Sequence, residues 1–214
     1  MKKIILMFAA VIMTAGVMSA QDINQATESY NNGAMELQMG NNGAAIEYFQ
    51  SALTMGEALG DEGAELVANC KKAICSAYLG MAKDLYNAKA FDEAAAAFQQ
   101  AKEVAEGYGE AEVAAEAAEL VNQANILKFN TEGKAAMKAK DFATAIASFK
   151  KVLELDPTNG AVAVQLGQAC MNAGQFDEAV AALETAKANG QEINAGKLLS
   201  NIYLKKAQAS NKAK

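Results

Sequence analysis

Along most of this chain small and apolar residues return every third or fourth position, the period that places them on one face of an α-helix. Four stretches share one form: Ala45-x3-Phe49-x2-Ala52, Ala94-x3-Phe98-x2-Ala101, Ala145-x3-Phe149-x2-Val152 and Ala179-x3-Leu183-x2-Ala186. Each predicts a helix with one packed stripe, small where another helix must come close and large where a gap must be filled. No run alternates β-branched residues with polar ones, so no sheet is expected. Breaks fall at Gly40-Asn41-Asn42-Gly43, Gly60 to Gly63, Gly107 to Gly109, Asn159-Gly160, Gly174 and Asn189-Gly190. They divide the chain into antiparallel helix pairs. Pro157 is the one proline and stops the helix before it.

The pairs are not evenly spaced. Ala145 to Ala179 spans 34 residues, whereas Ala45 to Ala94 spans 49 and Ala94 to Ala145 spans 51. The added residues keep helical spacing, with Leu66, Val67, Cys70 and Ile74 in one segment and Val113, Leu120, Val121 and Ala124 in the other. Either the first helices of the second and third pairs start early, at about Ala64 and Glu110, or each insert holds a separate short helix. After the fourth pair, Asn194 is placed to cap a last helix carrying Leu198, Leu199, Ile202, Tyr203 and Leu204. Asn211 to Lys214 reads as a frayed basic tail.

The first twenty residues follow another rule. Lys2 and Lys3 precede an apolar run from Ile4 to Val17 that closes on Met18-Ser19-Ala20, the order of a secretory signal peptide. The run is shorter than the ~20 apolar residues that span a bilayer. Cleavage is expected after Ala20, and Gln21 in place of a cysteine gives no support to a lipid anchor. The expected location is the bacterial periplasm or the cell exterior, with no stable membrane insertion after cleavage.

Charge narrows the partners. The chain carries 19 basic and 25 acidic residues, a net charge of −6, and without Lys2 and Lys3 the balance is 17 − 25 = −8. That sign argues against nucleic acid. All the basic residues are lysine, so the bidentate guanidinium fork is missing. Three cysteines are an odd number for a disulfide framework. Cys70 and Cys75 lie about 140° apart around one helix, and buried thiols are expected, with a bridge from Cys170 to either one as the alternative.

Catalysis finds little to stand on. The chain has no histidine, so histidine acid-base chemistry, a Ser-His pair and histidine metal sites are all excluded. No paired-cysteine zinc spacing and no glycine-rich phosphate loop appears. Asp61-Glu62-Gly63 is too little for a helical calcium loop. Glu103, Glu106, Glu110, Glu112, Glu116 and Glu119 flank the Gly107 break and read as solvated helix faces. No enzyme activity, no cofactor and no metal are expected.

The last complete pair, Leu166-Gly167-x2-Cys170-x3-Gly174-x-Phe176-x2-Ala179-x3-Leu183-x2-Ala186, resembles the tetratricopeptide repeat, a helix-turn-helix of 34 residues. The preceding pair resembles it as Phe129-x3-Gly133, Phe142-x2-Ala145-x3-Phe149-x2-Val152 and the closing Asp156-Pro157. The two earlier pairs match more loosely, and Glu36 stands where the family usually has an apolar residue. The resemblance implies an all-α fold, a right-handed α-solenoid of antiparallel helix pairs over residues 21–210. Its repeats would be 23–57, 64–106, 110–157 and 160–190, with a capping helix at 194–210.

The resemblance also implies a function: a scaffold binding a peptide or protein partner in a concave groove lined by the first helices. The alternative is a self-assembling structural subunit of a cell-envelope complex. Carried over residue by residue, the groove positions are Tyr30, Ala34 and Leu37, then Lys83, Tyr86 and Asn87. The later pairs add Asn130, Lys134, Met137 and Lys138, then Gln168, Met171 and Asn172. Amides suit a peptide backbone and Met an adaptable apolar contact. Lys83, Lys134 and Lys138 would attract an acidic segment or a C-terminal carboxylate. Some relatives clamp such a carboxylate; here Asn130 and Lys134 are of the right type, Arg is missing, and Val164 sits where a polar group would help.

Overall fold

The computed structural model describes residues 20–212, so the expected signal peptide lies outside the described residues except for Ala20. All regular structure among them is helical: α1 (Ala20–Gln38), α2 (Asn42–Ala58), α3 (Ala64–Asn87), α4 (Phe91–Tyr108), α5 (Ala111–Ala139), α6 (Phe142–Leu155), α7 (Gly160–Asn172), α8 (Phe176–Ala188) and α9 (Glu192–Lys212). A 3-10 turn, Gly60–Gly63, joins α2 to α3. The chain divides into two compact units, Met1–Ile74 and Cys75–Lys214, with the boundary inside α3.

The first unit is built on the α1–α2 hairpin. Ala45, Phe49 and Ala52 turn the buried stripe of α2 toward α1. Tyr30 of α1 lays its ring on Phe49, with centroids 5.3 Å apart. The 3-10 turn folds back on α2 so closely that a Cβ on Gly63 would lie 2.0 Å from the carbonyl oxygen of Gly56.

The second unit is a solenoid of helix pairs in which α4 through α8 each lie against the helix that follows. One core forms around Phe98 with Leu79, Ala82, Ala94 and Ala101. A second forms around Phe149, Val152, Leu166, Leu183 and Ile202. Phe98 is fully buried and Phe149 is 1% exposed, so the aromatic and Leu positions of the repeated motif are the ones that fill each pair.

The inserts are continuous helix. α3 runs unbroken for 24 residues from Ala64 and α5 for 29 from Ala111, against 13 for α7. The extension of α5 packs Ala114 on Ala105 of α4, and α4 is itself 18 residues long, so the lengthened helices match one another. Within a pair the register is unchanged by the inserts. Gly33 and Phe49, Ala82 and Phe98, Gly133 and Phe149, and Gly167 and Leu183 are each 16 residues apart.

All the turns between consecutive helices except α6–α7 contain a residue with left-handed φ. At the α5–α6 turn, Lys140 takes a left-handed φ of 62° while Asp141 N–H donates to Ala136 O at 2.9 Å and Lys140 N–H to Met137 O at 3.2 Å. Asp141 then caps α6, accepting from Thr144 N–H at 3.1 Å and Thr144 Oγ1–H at 2.7 Å. Asn159 caps α7 through Val162 N–H at 3.1 Å. The last helix departs from expectation. It starts at Glu192, which puts Asn194 inside its first turn, where Nδ2 donates to Gln191 Oε1 at 3.2 Å instead of capping. It also continues through Asn211 and Lys212, two residues assigned to a frayed tail.

Candidate functional site

The residues expected to face a partner fall into three settings. In the first unit Tyr30, Ala34 and Leu37 are half-buried on α1, and Tyr30 is committed to its contact with Phe49. On α3, Tyr86 is held edge-on by Phe91 and Phe98, with centroids at 5.7 and 6.1 Å. Its neighbour Asn87 is exposed as the last residue of that helix. Lys83 is exposed as well, but its ammonium pairs with Glu116 of α5 at 2.7 Å, so that charge is already met.

The third setting is a cavity of about 270 Å³ between α5 and α7. Lys134, Met137, Val164, Gln165 and Gln168 line it, and Phe149 of α6 lies beneath. Helical spacing explains the grouping: Lys134 and Met137 share a face of α5, and Gln165 and Gln168 share one of α7. Gln168 Nε2 donates to Asn172 Oδ1 at 3.1 Å, which ties the exposed Asn172 to the cavity edge. Lys138, one turn beyond Lys134, is exposed, and Met171 is half-buried against the core.

Two acceptors stand out in this region. The side-chain oxygens of Asn130 and Gln165 are enclosed and accept no hydrogen bond. Asn130 lies one turn before Lys134 on α5. An enclosed carbonyl without a donor costs ~1 to 3 kcal/mol, and a ligand that brings an N–H recovers it. Gln165 had been missed from sequence: the position next to it, Val164, is the family groove position. The two share the cavity wall, and Gln165 supplies the polar group whose absence Val164 had suggested.

No metal centre competes for the assignment, since no cluster of three or more His, Cys, Asp or Glu able to hold an ion occurs among the described residues. Cys70, Cys75 and Cys170 are free and buried, and burial raises the thiols of Cys70 and Cys75 to about 11. No helix among the described residues is long and apolar enough to cross a membrane.

Residues 136–202 match the tetratricopeptide repeat family. That stretch runs from the end of α5 into α9 and contains most of the cavity lining. Among solved structures, the chain is similar to the C-terminal TPR-containing domain of a Plasmodium falciparum FK506-binding protein, at 18% identity over 67% of this chain and 95% of that one, with a TM-score of 0.41. It is also similar to MamA of Desulfovibrio magneticus RS-1, at 16% identity over 89% and 90% of the two chains with a TM-score of 0.36. The TPR2AB domain of yeast Sti1, in a complex with pHSP90, is 14% identical over 88% and 86%, with a TM-score of 0.38. No curated protein matches the chain.

Proposed function

We propose that this protein is an exported, non-catalytic interaction scaffold that binds an extended segment of a partner protein across α5 and α7. The observation that carries the reading is Gln165 Oε1, an unmet acceptor in the lining of a partly apolar cavity, with a second unmet acceptor, Asn130 Oδ1, one turn before the lining residue Lys134 on α5. A peptide backbone supplies N–H groups at such acceptors. A side chain of the same peptide enters against Met137, Val164 and Phe149, where Met can adjust its shape to the guest. Lys134 and Lys138 favour an acidic residue or a terminal carboxylate alongside, in a protein that is otherwise acidic. Export rests on Lys2, Lys3 and the apolar run that follows them.

Selection from a displayed random-peptide library tests the binding. Enriched peptides are expected to carry an acidic group next to an apolar side chain, and to bind Lys134→Glu or Gln165→Leu at least about tenfold more weakly, a loss of ~1.4 kcal/mol. Peptides that bind these variants as well as the wild type would overturn the assignment. N-terminal sequencing of the protein recovered from cells tests export: a chain starting at Gln21 is expected, and one retaining Lys2 and Lys3 would refute it.

A further inference from the structure

α9 has two faces with different fates. Ala195, Leu199 and Ile202 are buried against α7 and α8. On the far side Ile193 is 75% exposed and Leu204 58%, with Tyr203 beside them at 54%. Ile193, Lys197, Ser200 and Leu204 follow one another at four, three and four residues, a straight stripe ~16 Å long opposite the packed face. Glu192 is the one acid of the helix, against Lys197, Lys205 and Lys212, while Lys206 is paired with Asp177 of α8. An apolar, basic face on the outside of an acidic protein is a contact surface.

The same unit carries the chemical complement. Between the end of α4 and the start of α5 lies a cavity of about 480 Å³, far from small for a surface groove. Ala111, Ala114, Ala115 and Ala118 form its wall on α5 at spacings of three, one and three, which leaves room for a second helix to approach closely. Its edges are acidic. Glu106 stands on the α4 side, and Glu112 and Glu119 flank the alanine stripe on α5, both exposed. Lys102, the cation of the cavity wall, is paired with Glu106 at 2.8 Å, so these two charges offset each other and the acidic character of the edge rests on Glu112 and Glu119.

We propose that α9 of one copy of this chain docks in the α4–α5 groove of a second copy. Ile193 and Leu204 rest on the alanine wall, and Lys197 and Lys205 meet the carboxylates at its edge. Like surfaces repel: two α9 faces would bring lysines together, and two grooves would bring glutamates together. The contact is therefore between unlike surfaces and leaves each copy with one free α9 and one free groove, so it propagates head to tail. This surface is separate from the α5–α7 cavity.

Sedimentation velocity of the full chain over a range of concentrations tests it. The average mass is expected to rise with concentration and to fall as salt screens the charges. K197E/K205E and E112K/E119K are each expected to remain monomers with unchanged helical circular dichroism, and to associate when mixed, because each then offers the complement of the other. Ala115→Glu, at an exposed position, is expected to block association without reversing any existing charge. A wild type that stays monomeric throughout overturns the proposal, including one whose α9 instead captures a different acidic protein. So do charge-reversed variants that associate like the wild type, and a mixture that stays monomeric.

Discussion

The backbone of Gly133 on α5 lies directly against the ring of Phe149 on α6, so closely that a Cβ at Gly133 would stand 2.5 Å from Cε1 of that ring. Gly167 and Leu183 repeat the relationship at 2.6 Å, and Gly33 and Phe49 at 2.8 Å. The absent side chain sets how near the two helices of a pair come, and the large residue 16 positions on fills the space. Gly133→Ala is expected to cost ~1 to 3 kcal/mol through overpacking. Phe149→Ala is expected to cost ~3 to 5 kcal/mol through the cavity it leaves. In the double variant the added methyl has room, so denaturant melts are expected to show less than the sum of the two losses.

Lys140 occupies a backbone conformation that disfavours any side chain. Its φ of 62° is matched at the corresponding turns of the other pairs by Gly40 at 79°, Lys89 at 62° and Gly174 at 80°. Lys140→Gly is expected to stabilise the protein by about 1 kcal/mol, because it removes the left-handed penalty and the lysine side chain is exposed. A thermal melt checks the sign, and lower stability would mean that the lysine side chain contributes more than its backbone strain removes.

The cap of α6 makes stability depend on acid. Hydrogen bonds from the Thr144 hydroxyl and backbone N–H hold the Asp141 carboxyl below the usual carboxylate range. A group held low in the folded state binds its proton more weakly there than in the unfolded chain. Its contribution is therefore complete above the ordinary carboxylate pKa and fades as the pH falls toward the depressed value. Asp141→Asn keeps a capping oxygen but does not titrate. Urea midpoints across the acid range are expected to fall less steeply for this variant than for the wild type.

The thiols give a probe of the packed core. Burial raises all three, Cys70 and Cys75 to about 11, so few are thiolate near neutral pH. A chromogenic disulfide reagent is expected to react with none at a measurable rate in the native protein and with all three after denaturation. Fast labelling of the native state would mean that the helices around these residues open readily.

Much of the fold was legible because the helical period and the glycine breaks act locally. The four motifs, the antiparallel pairs and the proline stop all rest on spacings within one pair. Features that depend on residues far apart in the chain were not legible. Lys83 looked like a free groove cation, yet Glu116, 33 positions away, takes its charge. Gln165 was passed over because the repeat register points at Val164, and only the packing of α5 on α7 sets both beside one cavity. The last helix was expected to carry Leu198, Leu199, Ile202, Tyr203 and Leu204, with no face assigned to each. Five apolar residues in seven positions cannot all face one way on a helix, and the structure buries Leu199 and Ile202 while exposing Tyr203 and Leu204.

The most direct test of the binding face uses the methionines as reporters. Met137 lines the α5–α7 cavity, whereas Met35 and Met39 are exposed on α1 in the first unit. Methyl-labelled methionine followed by NMR during titration with a selected acidic peptide is expected to shift the Met137 signal in proportion to binding and to leave Met35 and Met39 unmoved. A bound peptide that leaves Met137 unchanged, or that shifts Met35 and Met39 in its place, would contradict the account.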